Sequence, residues 1–514
     1  MTELAIACKT RDSVINLVLD TLERGKQAIV FVGTKKSAEK VAQDVAKQLK
    51  PSAALHDAAE KALHALSRPT LQCEKLASCI RNGAAFHHAG LNGSQKDVIE
   101  EGFRARQIKV IACTPTLAYG VDLPAYRVII RDVKRFGQHG MGFIPVLDYL
   151  QMAGRAGRPS FDTRGEAVLV ADTELEAQDL AERYVRGEPE DIYSKLAVEP
   201  VLRTYVLSLI AGRVVKDRDG LIEFFSRTFW AYQYKDMKRL AQTLERMVAL
   251  LKEWHFLDDA EFKSAAAVDA YTATPLGARV AQLYLDPLTA HQLLDGFDVA
   301  ASRKAVLDFA WLHLLTSRLE LRPPLRVGVK DWEKYVALLE TNPVLEELPP
   351  LYEPEYDDAV AAAKTAAMFL SWLDERTEDW LLEEFNATPG ELHTKLQRAD
   401  WLLYASAELA GLAKKHDLIK DIRRIRMRLR YGVKEELLPL LQLEGVGRVR
   451  ARLLFKEGIK DMADVKKVSF TTLAQLLGKA TAAKVKKAVG EEVPEPVKET
   501  KRKGQMGLGK FTKE

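Results

Sequence analysis

Across the first ~190 residues two hydrophobic patterns alternate. "DSVINLVLDTLERG" places its apolar residues at helical spacing and closes on Gly25, a candidate helix C-cap. "AIVFV" (28–32) is a short apolar, β-branched run that reads as a buried strand, and "KKSAEKVAQDVAKQL" returns to the helical pattern. "KVIACT" (109–114), "RVIIRDV" and "EAVLVA" (166–171) are further buried strands. Strands alternating with helices predict a parallel α/β sheet. Ligands of such sheets sit at the carboxyl ends of the strands. The polar stretches "GTKKS" and "TPTLAYGVDLP" fall there.

Beyond about residue 190 long helical patterns dominate. They include "LRTYVLSLIAGRVV", "MKRLAQTLERMVALLKEW", "SRKAVLDFAWLHLL", "TAAMFLSWLDERTEDWLLEEF" and "ELHTKLQRADWLLYASAELAGLA". One stretch, "WHFLDDAEFKSAAAVDAYTATPLGARVAQLY", differs: a short strand, a polar loop and a second strand run into a helix, as in the wing of a winged helix. "YLDP" (284–287) predicts a boundary, and "LPPLYEPEY" (348–356) a proline-rich connection inside the helical part. The polar tail from about Val493 is expected to be disordered.

Composition narrows the class. The 514 residues leave room for about three or four domains. A hydrophobic content of 47% with 29% charged residues describes ordinary globular domains. No apolar run is long enough for a membrane span, and the N-terminus lacks a signal-peptide hydrophobic region, so a cytoplasmic location is expected. Cys8, Cys73, Cys79 and Cys113 form no CxxC and no zinc-spaced cluster; they read as reduced structural thiols, with no metal site. The net charge of +4 says little, but "KKHDLIKDIRRIRMRLR" (414–430) carries eight Lys/Arg against two Asp. It is either a solvated helix face or a phosphate-tracking surface.

The candidate chemistry centres on "QMAGRAGRP" (151–159), with an amide at Gln151 and guanidiniums at Arg155 and Arg158. An arginine finger stabilises charge on a transferring phosphoryl group, and it needs a phosphate loop and a magnesium site to act on. The 514 residues hold no GxxxxGK[ST]. "GQMGLGKF" (504–511) imitates one but has Phe511 where Ser or Thr must ligate magnesium, and it follows no strand. The acidic "LDERTED" follows a helical pattern rather than a buried strand and is not read as a magnesium box.

"AIVFVGTKKSAE", "FHHAGL", "VIACTPTLAYGVDLPAYRVII" and "QMAGRAGRP" occur in order at natural spacing. Together they resemble motifs IV to VI of superfamily 2 helicases of the Ski2-like branch. "YLDPLTA", "ADWLLYA" and "YGVKEELLPLLQLEGVGRVRARLLFKEGI" are similar to the accessory domains of archaeal Hjm-type DNA helicases, relatives of the polymerase theta helicase. The resemblance covers nearly the whole chain. It implies a second RecA-like domain (1–190), a winged helix (191–284), a helical ratchet domain (285–430), a helix-hairpin-helix domain (431–490) and a tail (491–514). It also implies that the first RecA-like domain, which carries the phosphate loop and the DExH box, is either on a separate chain or lost from this sequence. On that reading ATP and magnesium are bound mainly by the absent domain, and this chain alone is inactive as an ATPase.

The resemblance assigns roles. Gln151, Arg155 and Arg158 approach the γ-phosphate, with Arg158 the finger, when the domains close; closure and hydrolysis are thereby linked. Gly120 and Asp122 couple that site to DNA. Thr34, Lys35, His88, Gly90 and Thr114 lie on loops that grip the backbone of one strand; for His88, loop packing is the other reading. "KRFGQHGMGFIPVLDY" corresponds to the hairpin that parts the duplex, with Phe136 and Phe143 stacking on the last base pair and Arg135 near the backbone. Trp401 matches the ratchet tryptophan, although it also fits helix packing. The family's arginine two turns earlier is Thr394 here, and His393, Lys395 and Arg398 are the nearby basic residues, Arg398 sharing a face with Trp401. Gly445 and Gly447 permit a helix-hairpin-helix turn whose following helix offers N–H groups to a phosphate, with Arg448 and Arg450 adding charge. In the tail, Gln505, Leu508, Phe511 and Thr512 resemble a sliding-clamp-binding peptide; a single-strand-binding protein is the other candidate partner. The function these signs imply is the C-terminal part of a 3′–5′ DNA helicase acting on single-stranded and forked DNA in replication repair, otherwise monomeric. A non-enzymatic module that binds DNA and recruits the clamp is the alternative.

Overall fold

The computed structural model describes residues 5–66, 69–119, 121–123, 125–137, 140–157, 164–259 and 270–491, without the side chains at 136, 137 and 140. The chain forms two compact units. One comprises residues 1–371 and 376–423, the other residues 372–375 and those from 424.

The first unit opens with α1 (Ser13–Glu23), β1 (Ala28–Phe31), α2 (Lys35–Lys47), α3 (His56–Leu63), α4 (Leu71–Arg81) and β2 (Ala84–His87). There follow α5 (Gly93–Arg104), β3 (Val110–Cys113) and β4 (Arg127–Ile130). A hairpin of β5 (Lys134–Gly137) and β6 (Gly140–Phe143) precedes α6 (Val146–Ala153), β7 (Glu166–Leu169) and α7 (Glu174–Leu180). The sheet order is β2-β3-β1-β4-β7, every pair parallel. Every residue of β1 to β4 is buried, which is why these strands read as continuous apolar runs rather than alternating ones. Four of the five strands coincide with the predicted runs. The fifth, β2, escaped because "AAFH" is short and half alanine, a weak strand former. Gly25 ends α1 as read: its φ is +71°, its N–H bonds Leu22 O (2.9 Å) and that of Lys26 bonds Thr21 O (3.1 Å).

The same unit continues with α8 (Glu199–Ala211), α9 (Arg218–Ser226), α10 (Phe229–Tyr234) and α11 (Met237–Glu253). A two-stranded ribbon, β8 (Leu257–Asp259) with β9 (Tyr271–Ala273), leads into α12 (Pro275–Gln282). The helices α13 (Pro287–Ala301), α14 (Asp308–Thr316), α15 (Trp332–Thr341), α16 (Pro354–Leu373), α17 (Glu378–Phe385), α18 (Pro389–Leu412) and α19 (His416–Tyr431) follow. At "YLDP" the chain does turn, with Tyr284 at φ +54°. The turn does not separate two units, because Arg203 of α8 and Asp286 form a buried bidentate pair (2.6 and 2.7 Å) across it. Two helical patterns come out shorter than the sequence suggested. "SRKAVLDFAWLHLL" is α-helical only from Asp308. "TAAMFLSWLDERTEDWLLEEF" breaks after Leu373, where Glu375 has φ +67° and Thr377 caps α17 by accepting from Trp380 N.

The second unit contains residues 372–375, the end of α19, α20 (Arg448–Lys456), α21 (Met462–Lys467), α22 (Phe470–Leu477) and α23 (Lys479–Ala488). Its core is built on Val433, Leu437, Leu440, Leu454, Leu473 and Val485. The border between the two units falls inside α19, at 423/424. The indole N–H of Trp372 donates to Leu429 O (2.8 Å), which draws the last turns of α19 into this core.

Candidate functional site

The motif VI segment leaves α6 at the carboxyl-end side of the sheet. Gln151 is exposed on the last turn of that helix. Arg155 is half-buried, and its guanidinium donates to Ala118 O and stands 3.9 Å from Asp122 Oδ1, on the loop after β3. Burial lowers the Arg155 pKa from its ordinary value, yet a guanidinium stays charged. The backbone repeats the link: Ala125 N bonds Arg155 O (3.2 Å) and Gly157 N bonds Ala125 O (3.0 Å). Gly157 is required there, because its φ is +69° and a Cβ would stand 2.5 Å from the backbone N of Gly165. Arg155 thus stitches motif VI to motif V. Gly120 and Arg158 lie outside the described residues.

The β5–β6 hairpin pairs Lys134 with Phe143 and Arg135 with Gly142. Phe143 is 42% exposed, and its ring carries Arg183 at 4.3 Å and Lys134 Nζ at 4.8 Å from the centroid. Arg135, expected near a DNA backbone, donates to Asp148 Oδ2 on α6 (3.0 Å). The side chain of Phe136 lies outside the described residues.

The loops expected to grip DNA divide into two groups. Thr34 and Thr114 are accessible: Thr34 caps α2 through Ser37 N, and half-buried Thr114 shares a hydroxyl contact with Thr116 (2.9 Å). Lys35 reaches Glu391 of α18 (3.5 Å). His88 and Gly90 depart from the expectation of phosphate contact, since both are buried. The His88 ring accepts Gly90 N–H on Nδ1 (3.1 Å) and turns Nε2 towards Glu39 (3.5 Å). Burial would raise Glu39, but the hydrogen bonds from His88 and Gln72 outweigh it and bring its pKa to about 2. Gly90 is covered by the first turn of α18: Gly390 N bonds Gly90 O (3.0 Å), and a Cβ on Gly390 would stand 2.5 Å from Ala89 O and Leu91 O.

On α18 the half-buried Trp401 donates its indole N–H to Leu283 O (3.2 Å) at the end of α12. Of the basic residues near Thr394, Lys395 is turned inward, 6% exposed, with Nζ on Pro323 O (2.5 Å) and its pKa lowered by burial. Arg398 is exposed and donates to the carbonyls of Glu320 and Arg322 (3.2 and 3.0 Å). His393 is exposed beside Gln397 (3.0 Å), and Thr394 bonds Gly390 O (2.9 Å).

In the second unit Gly445 adopts φ +81° and Gly447 precedes the first residue of α20, so turn and helix follow in the expected order. Arg448 lies over the Trp372 ring (4.6 Å), and Arg450 closes the turn by donating to Gly445 O (2.7 Å). The basic run before it is not one uniform face: Arg423 and Arg430 are exposed, but Arg428 is buried on Val433 O (3.2 Å). Gln505, Leu508, Phe511 and Thr512 lie outside the described residues.

Residues 62–160 match the family model "Helicase conserved C-terminal domain", and residues 309–432 match "Archaeal helicase, domain 4". The ATP-dependent DNA helicase Hel308 of Methanocella arvoryzae is 38% identical over 507 residues, covering 96% of this chain and 67% of that protein. The chain belongs to the Hel308 family of archaeal DNA helicases. Hel308 of Pyrococcus horikoshii is 35% identical over 499 residues (95% of this chain, 67% of the relative), and that of Pyrobaculum calidifontis 37% over 477 residues (91% and 64%).

Three residues of this Hel308-family chain carry more of the site than sequence reasoning assigned them. Asp148 gathers Tyr119 and Arg135, Trp372 seats Arg448, and Gly390 lets α18 touch the loop after β2. Asp148 lay in the quoted hairpin stretch and Trp372 in a quoted helical pattern, but nothing marked either as a site residue. Gly390 had a signal: a glycine inside the first turn of a long helical pattern marks close approach of another backbone.

Proposed function

We propose that this chain is the nucleotide-sensing and DNA-gripping part of an ATP-dependent 3′–5′ helicase acting on forked or branched DNA in replication repair. The observation that carries the reading is Arg155, whose guanidinium joins the motif VI loop to Ala118 and Asp122 of the motif V loop beside exposed Gln151. Gln151 and Arg158 then meet the outer phosphate of ATP, while Arg155 passes its position to the strand-gripping loop. ATP, when bound, supplies the phosphoryl group transferred to water. These residues, an amide and guanidiniums, fit the phosphate side of the nucleotide, and a cationic guanidinium is no ligand for magnesium. On this reading magnesium and the phosphate loop belong to a first RecA-like domain. Residues 191–284 serve as a winged helix, 285–430 as the ratchet domain with Trp401 and Arg398, and 431–490 as a helix-hairpin-helix reader of backbone. Residues 491–514 recruit a replication partner such as the sliding clamp.

The test combines the purified chain with a separately produced phosphate-loop domain of a relative. DNA-stimulated ATP hydrolysis is expected from the mixture and not from the chain alone, and Arg155→Ala should remove it while fork binding, followed by fluorescence anisotropy, persists. Hydrolysis by the chain alone would sink the composite-site reading. Fork binding with no hydrolysis in any mixture would favour the non-enzymatic module.

A further inference from the structure

Asp148 is where three segments with separate proposed tasks meet. It lies on the first turn of α6, three residues before Gln151. Its Oδ1 accepts the phenol of Tyr119, on the motif V loop, at 2.5 Å, and its Oδ2 accepts Nη1 of Arg135, on the hairpin, at 3.0 Å. The Asp148 side chain is only 16% exposed, whereas that of Arg135 is 55% exposed. A carboxylate that accepts from a phenol and a guanidinium makes charge-assisted bonds, the stronger and more directional class. Burial and the Asp148 bond push the Tyr119 phenol up to about 12, so it remains a donor at any physiological pH.

The hairpin is held at two levels. At its base Tyr184 donates to Ile144 O (2.9 Å). Along its shaft the two faces differ. Lys134 and Phe143 pair on one face, and Met141 and Phe143 are large apolar groups left exposed. Arg135 belongs to the opposite face, opposite Gly142, where a Cβ would meet open space. Arg135 to Asp148 is thus the side-chain tether that holds the shaft's reverse face to α6. A helix of this length behaves as one stiff body, so Asp148 and Gln151 move together.

We propose that Asp148 is a positioning residue: it fastens both the hairpin and the motif V loop to α6, so that movement of the nucleotide-facing end of α6 is transmitted to the point where the duplex is parted. This rests on the helicase reading above.

The experiment uses the full chain mixed with the phosphate-loop domain and ATP, on forked DNA with 2-aminopurine at the junction, whose fluorescence rises when the junction base unstacks. Asp148→Asn should lower the junction signal about two- to fivefold, the range expected for losing one partly exposed ion pair, while fork affinity stays within about twofold. Arg135→Gln should lower the junction signal by as much, whatever it does to fork affinity, and the double variant should lower that signal no further, because both changes cut one tether. Asp148→Glu should recover part of the signal. If Asp148→Asn fails to melt cooperatively, Arg135→Gln on the exposed hairpin carries the test alone. A normal wild-type signal with unchanged single variants, or an additive double variant, overturns the proposal by itself. A wild-type chain that binds no fork, or gives no junction signal, removes the helicase reading and the inference with it.

Discussion

In the parallel sheet, Arg127 has a 2% exposed side chain and binds Asp20 and Glu166 at 2.7 and 2.6 Å. In the C-terminal unit, Arg452 binds Glu375 and Glu436 with a side chain 24% exposed. Both are guanidiniums between two carboxylates. They differ in the surrounding core. Among the described residues, forty-four buried ones form the core of the sheet and its flanking helices, and fourteen form the C-terminal core. A large core can bury an ion pair, and then each partner depends on the other; a small core leaves the pair near water, where screening weakens it. The sheet is therefore suited to holding a few groups rigidly, and the C-terminal unit to presenting many cations.

That contrast can be broken or sharpened by four substitutions or conditions. Arg127→Ala should cost the most, about 3–5 kcal/mol, because it removes a buried guanidinium that, against the effect of burial, helps hold the Asp20 and Glu166 carboxyls below their usual range; urea denaturation followed by hydrogen exchange in β4 and β7 would read it. Gly157→Ala comes next, at about 2–3 kcal/mol, since it adds a side chain at φ +69° against Gly165; the same denaturation should show it, and loss of the Arg155 contact should follow as reduced ATPase in the reconstituted mixture. Arg452→Ala should cost about 1–2 kcal/mol, read by exchange in α20. A cost equal to that of Arg127→Ala would defeat the comparison.

The smallest effect is one of pH. Burial depresses His87 to about 4, with Lys96 and His88 adding to the shift. Between its ordinary value of 6.5 and about 4, the unfolded chain binds a proton that the folded chain refuses, so stability falls as pH drops through that window. Glu100 Oε1 stands 3.4 Å from Nε2 and limits the loss once His87 is charged. Thermal melts at pH 7 and 5 would measure it, and His87→Gln should flatten the difference. Exchange in the C-terminal unit should not change, as no histidine stands in the sequence from residue 424 onward.

Much of the architecture was legible in the chain. Apolar runs located β1, β3, β4 and β7 because strands buried on both faces must be apolar throughout. The helical pattern at 391–413 was equally direct. The break at residues 374–377 was not, because the apolar spacing continues on both sides of it while Glu375 turns to meet Arg452. Of the candidate site, the order of motifs and the glycine turn at 445–447 were readable, since each is a local requirement. The inward fate of Lys395 and Arg428 was not, and that of His88 was one of two readings, since burial of a polar side chain depends on which carbonyls and carboxylates distant segments bring to it.

Local chemistry and period, which act over a few residues, set the strand and helix sequence, the turns and the candidate phosphate-facing residues. The sheet order decided the rest by bringing segments far apart in the chain into contact. It put β1 between β3 and β4, laid the motif V loop beside motif VI, and gave Asp148 its two donors from positions 119 and 135. No spacing along the chain encodes that meeting, because hydrogen bonds between such segments depend on the packing of everything between them.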